Sequence, residues 1–135
     1  MLTKLSQLSG RKKRDAMTDD KEMKAFFAKI KDAYSKWPDL HHFQPVSAEH
    51  LRAWLLVQIG HCDLTFFNMS DFDDAGEMVL AVVYAALRVK NPIVETDPHG
   101  NAGIAVARSM KNISQEDKMR LIRNCSQILA AEIGE

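Results

Sequence analysis

The sequence predicts a mainly α protein, a compact bundle of four to five helices with an optional short strand pair at 64–67 and 104–107. Three observations predict it. Apolar residues recur at helical spacing over residues 23–37, 51–59, 78–87 and 119–133. Polar cap residues stand directly before these runs, and Pro38, Gly60 and Gly134 stand after the first, second and last of them. At 135 residues and 46% apolar content, the chain can bury one real core and has too little material for two.

Leu2, Leu5 and Leu8 permit a short amphipathic turn ended by Gly10, and the run Arg11-Lys12-Lys13-Arg14 repels itself into a solvated linker. Residues 1–17 are therefore read as a basic, partly flexible arm, and residues 18–135 as a single helical domain. Thr18, Asp19 or Asp20 can cap the first long helix, with acids where the helix dipole favours them. Its buried stripe is Met23, Phe26, Phe27, Ile30, Tyr34 and Trp37, and Pro38 ends it. Asp39 to Val46 forms a loop. Ser47 then caps a helix to about Ile59, with Leu51, Trp54, Leu55 and Gln58 on one face and Gly60 at the left-handed exit.

Leu64-Thr-Phe-Phe67 is too short for a helix and reads as a strand or an extended tie. Ser70 to Asp73 is a capping arrangement for a helix from about Asp74 to Val89. That helix is apolar almost all round from Met78 to Leu87, which places it at the centre of the expected fold. Residues 91–103 hold Pro92 and Pro98 and read as irregular, whereas Ile104 to Met110 satisfies either helix or strand. Ser114 caps the last helix, whose face is Met119, Ile122, Cys125 or Ser126, Leu129 and Ile133.

No apolar run reaches the roughly 18–20 residues that span a bilayer, and the N-terminal segment lacks a signal-peptide h-region. A cytoplasmic protein without membrane contact is expected, with Cys62 and Cys125 as free thiols. The formal net charge is zero, yet residues 1–36 carry ten Lys or Arg against five acids, leaving the remainder five negative. Such an arm can clamp onto its own body, pair with a second copy in a homodimer, or reach an anionic partner.

Four groupings bear on chemistry. His61-Cys62-Asp63, with His41 and His42 one loop away, has residue types that zinc accepts but none of the usual spacings, so neither a metal, a cofactor nor a catalytic set is expected. Asp71, Asp73, Asp74 and Glu77 form an acidic group that caps a helix and offers a partner-binding surface. Gly100 to Gly103 is a turn without the Lys-Ser/Thr of a phosphate loop. Arg11, Lys12, Lys13 and Arg14, extended by Lys21 and Lys24, are the candidate nucleic-acid-binding residues; Lys31 and the cations from Arg108 to Arg123 join them if the fold brings them near.

The order of motifs carries a resemblance. Phe26-Phe27 with Trp37-Pro38, Leu51-Arg52-Ala-Trp54-Leu, Gly60-His61-Cys-Asp63 and Arg108-Ser109-Met-Lys-Asn-Ile-Ser-Gln-Glu-Asp117 together look like small phage and prophage proteins encoded among recombination and replication genes. More distantly the chain is similar to the Orf or NinB recombination-accessory group, over residues 22–130. The resemblance implies an accessory protein that binds DNA, or a DNA-bound host protein, without covalent catalysis. It departs from that group in lacking the N-terminal β segment, and residues 64–107 have no counterpart. A second expectation from the residues alone is a helical interaction module, or an inhibitor of a host complex, acting through the acidic surface.

Overall fold

The computed structural model describes residues 21–134. The Leu-rich turn, the Arg11 to Arg14 run and the Thr18 to Asp20 cap lie outside them. Helix α1 occupies residues 21–35. It is followed by α2 (Ala48–Gln58), β1 (Cys62–Phe67), a 3-10 turn (Met69–Asp71), α3 (Ala75–Leu87), β2 (Ile93–Thr96), β3 (Ala102–Ala107) and α4 (Gln115–Ile133). The strands form one antiparallel sheet in the order β1-β3-β2. The fold is thus a mixed α and β architecture, and the expected helical bundle is corrected.

The reason for the difference lies in small residues. β3 reads Ala-Gly-Ile-Ala-Val-Ala, a composition that satisfies a helix by propensity. Its first four residues are buried, and both α2 and α3 pack on it. A central strand covered on both faces needs short side chains, and here the alanines and glycine let helices approach from either side. Gly103 has a further constraint, because a Cβ there would sit 3.1 Å from Leu64 Cδ1. β1 meets β3 with Leu64 opposite Ala105, and β2 meets it with Ile93 opposite the same Ala105. β2 falls in the segment read as irregular, since its Pro92 and Pro98 bracket only four strand residues.

The hairpin from β2 to β3 is closed by Asp97. Its Oδ1 accepts from the amides of His99 and Asn101, both at 2.9 Å, and Gly100 adopts φ +84°. Asn101 Oδ1 in turn accepts from Met69 N at 2.8 Å, tying the hairpin to the 3-10 turn. The amide of Asn101, its side chain and the His99 amide all favour the ionised form and hold the Asp97 carboxyl below its ordinary value. A depressed carboxylate stabilises the fold above its unfolded pKa of about 4 and loses that contribution as pH falls through the lower folded value. Acid titration followed by amide hydrogen exchange is therefore expected to release His99 and Asn101 only below the ordinary aspartate range. Release at or above that range would contradict the assigned hydrogen bonds.

The main core lies between α1, α2, α4 and one sheet face. Phe26, Ile30, Ala33 and Trp37 come from α1 and its exit, Leu51, Trp54, Leu55 and Leu56 from α2, and Cys125 and Leu129 from α4. Ile93 and Ala105 represent the sheet in it. Ser47, Asp74 and Ser114 each accept the backbone N–H three residues on, so all three later helices begin with a side-chain cap. Gly60 and Gly134 take left-handed φ after α2 and α4.

Two expectations about the core are corrected. Phe27, assigned to the α1 stripe, is exposed at 38% and lies under the Arg52 guanidinium, 4.8 Å from its ring centroid. Helix α3, assigned to the centre, buries only Met78. It turns Met78, Ala81, Val82, Ala85 and Ala86 inward and leaves Val79, Leu80, Val83, Tyr84 and Leu87 outward. Close approach to β3 selects the alanine-rich side for the interior. Among the described residues no helix is long and apolar enough to cross a membrane.

Candidate nucleic-acid interface

The cations of α1 and those after β3 are distant in sequence, and the fold brings several of them to adjoining grooves. The first groove, about 460 Å³, lies between α1 and α2 and is lined by Lys24, Lys31, Glu49 and Arg52 with Phe27 between them. The second, about 740 Å³, shares Phe27, Glu49 and Arg52 and continues to Lys90, Arg108, Lys111 and Lys118. Glu49 is the single acid among the lining residues of either groove, against seven Lys or Arg.

Each element contributes for a local reason. Lys24 and Lys31 are seven residues apart on α1 and so share a face. Arg52 sits on the flank of α2 away from buried Trp54, with its guanidinium held over Phe27. Lys90 follows α3, and Arg108 and Lys111 follow β3 on the way to α4. Arg108 also bonds Asp63 Oδ1 through Nε at 2.9 Å and Nη2 at 2.8 Å, which fixes its direction and offsets part of its charge. Lys118, in the first turn of α4, is 8% exposed. Lys31, Lys90 and Lys111 are exposed and have no ion-pair partner among the described residues.

Of the residues expected to bind nucleic acid, Lys24 lines the first groove, Lys21 is exposed at the start of the described part of α1, and Arg11 to Arg14 lie outside the described residues. Lys31, Arg108, Lys111 and Lys118 join the grooves, but Arg120 pairs with Asp117 at 2.7 Å and Arg123 lines neither. Sequence reasoning did not select Arg52 or Lys90. Arg52 stands in an apolar helix and Lys90 directly follows the helix expected to end near Val89, and only the pairing of β3 with its neighbours places them together.

The remaining groupings resolve differently. Asp74 caps α3 by accepting from Glu77 N at 2.8 Å, while Glu77 accepts from Asp73 N at 3.2 Å. With Asp71 they form an exposed acidic rim at one end of α3. His61 lies 3.1 Å from the Ser109 carbonyl through Nε2, Cys62 packs at the core edge, and Asp63 turns to Arg108. Burial, with Glu95 and Asp63 nearby, pushes the Cys62 thiol up despite Arg108, and burial pushes Cys125 up to about 12. Both are protonated near neutral pH, the opposite of an activated nucleophile. Among the described residues no three His, Cys, Asp or Glu side chains stand close enough to share a metal ion.

His41 and His42 belong to an aromatic assembly. Trp37 donates from Nε1 to the Phe43 carbonyl at 2.8 Å, and the Phe43 ring stacks on Trp54 with centroids 5.0 Å apart. His41 accepts at Nδ1 from Phe43 N at 2.9 Å and faces Glu132 Oε2 at 2.6 Å through Nε2. That arrangement satisfies both ring nitrogens and ties the loop to the last turns of α4, a structural task.

No family model, no curated protein and no solved structure matches the chain.

Proposed function

We propose that this protein is a non-catalytic, cytoplasmic nucleic-acid-binding protein of the phage accessory type, which holds a phosphate backbone in the paired basic grooves. The observation that carries this reading is the convergence of Lys24, Lys31, Arg52, Lys90, Arg108, Lys111 and Lys118 on two grooves that share Arg52 and contain one acid. A neutral chain that concentrates cations in this way has a local field suited to a polyanion. Phosphate contacts supply affinity without reading sequence, and the side chains here are those that make such contacts. Arg11 to Arg14 precede α1 and add to the same charge in this reading. The acidic rim at Asp71, Asp73, Asp74 and Glu77 supports a protein partner only by its exposure, so it takes second place.

The test is binding of a labelled single-stranded or duplex DNA by the full-length chain across a salt series. With about four to six phosphates neutralised, affinity is expected to fall roughly 10²–10³-fold between 50 and 200 mM salt. Replacing Arg52, Lys90 and Lys111 by alanine is expected to reduce the slope of log affinity against log salt by about three. Absence of binding at low salt, or an unchanged slope in the triple variant, would reject the groove as the interface.

A further inference from the structure

The outward face of α3 is the least expected surface of the molecule. Val79, Leu80, Val83, Tyr84 and Leu87 are between 46% and 77% exposed. At the surface typical of large side chains they present roughly 500 Å² of apolar area, near the upper end of what a monomer leaves uncovered. The five residues fall at i, i+1, i+4, i+5 and i+8, one continuous stripe along a thirteen-residue helix. Leu80, Val83 and Leu87 have the three-and-four spacing of a helix-pairing seam, and Gly76 continues it one turn earlier.

Charge at the two ends says what covers this stripe. Glu77 and Arg88 lie eleven residues apart, three turns of helix, and so on the same flank beside Tyr84. Asp73 and Asp74 reinforce the negative end, and Arg88 has no ion-pair partner among the described residues. An interface made twice from one surface must be complementary to itself under a two-fold rotation. Turning α3 end for end about a point near residues 82 and 83 lays the apolar stripe on itself. It also sets Glu77 of each copy beside Arg88 of the other. The stripe alone supplies roughly 500 Å² per partner, below the roughly 800 Å² of a standard interface, and the charged ends add to it.

We infer that the protein forms a two-fold homodimer through antiparallel pairing of its α3 helices, with Leu80, Val83, Tyr84 and Leu87 at the centre and reciprocal Glu77–Arg88 pairs at both ends. The partner is a second copy of this chain. The inference is independent of the proposed nucleic-acid binding, since the stripe residues line neither groove.

Sedimentation equilibrium of the full-length chain tests it. A two-chain mass is expected at about 10–100 μM, the range in which an interface of this size and character is populated. Val83→Glu with Leu87→Glu is expected to give a one-chain mass with an unchanged circular-dichroism spectrum, because neither residue is buried. Arg88→Glu and Glu77→Arg are each expected to weaken association at least about tenfold, the effect of placing like charges in apposition. The two changes combined in one chain are expected to recover it. A one-chain mass for the unaltered protein, which is also the result if residues 1–20 or a foreign partner cover the stripe, overturns the inference. So does a dimer that survives the double glutamate variant, or the absence of recovery in the charge-swapped chain.

Discussion

Trp54→Ala is expected to lower the unfolding free energy by about 3–5 kcal/mol, the range for removing a large aromatic side chain from a packed core. Trp54 is 5% exposed and meets four rings at once, those of Phe43, Trp37, His41 and His42. Phe43 stacks on it, while Trp37 at 5.8 Å and His41 at 5.5 Å present edges to it. Its loss removes the platform that orders the loop between α1 and α2, and the loop residues it would leave exposed are themselves aromatic. Equilibrium urea unfolding measures the effect as a lower midpoint with the slope retained. Leu40→Ala is the control, because Leu40 is 99% exposed and its replacement should stay within about 0.5 kcal/mol. Equal effects from the two variants would contradict the placement of Trp54.

Ile93→Lys is expected to be comparably severe, on the order of 3–5 kcal/mol, because it forces a charge without a partner into the core. Ile93 is 4% exposed, and the next residue, Val94, is 49% exposed. In a strand, successive side chains point to opposite faces, so Val94→Lys should change stability by less than about 1 kcal/mol. The contrast between adjacent lysines is specific to the sheet. If residues 91–103 were irregular, as their prolines indicated, nothing would require neighbouring positions to differ this sharply. Thermal or urea unfolding of the two variants side by side decides it.

The sequence made the helices legible wherever a cap, a stripe and a stop agreed. Ser47, Trp54 and Gly60 define α2 within a residue or so, and Ser114, Leu129 and Gly134 do the same for α4. Asp74 replaced the earlier cap expected for α3, a shift of one turn-forming residue. What was not legible depended on partners far along the chain. Ala102 to Ala107 has helix-compatible residues, and only pairing with β1 and β2 makes it a strand. Hydrophobicity placed α3 at the centre, but hydrophobicity states that a face wants covering without stating that the same chain covers it. In the grooves, Lys24 and Lys31 were visible as cations of one helix face, whereas Arg52 and Lys90 gained meaning only when α2, the segment after α3 and the end of β3 were set around one depression. Local signals identify elements; the site arises from contacts between elements that share no sequence neighbourhood.

The strand order has a consequence for how the chain is made. β3 lies between β1 and β2 yet is synthesised after both, so no ladder of the sheet can form until β3 is free to pair, and the one with β1 is complete only at residue 107. Before β3 emerges, β1 and β2 are two unmatched edges, and Leu64, Phe66 and Val94 accompany them with apolar side chains. During elongation, the interval between the emergence of β1 and that of β3 spans 40 residues from Cys62 to Ala102, including all of α3. Translation speed over that interval, rather than the stability of the finished domain, then governs how long the nascent chain is open to aggregation.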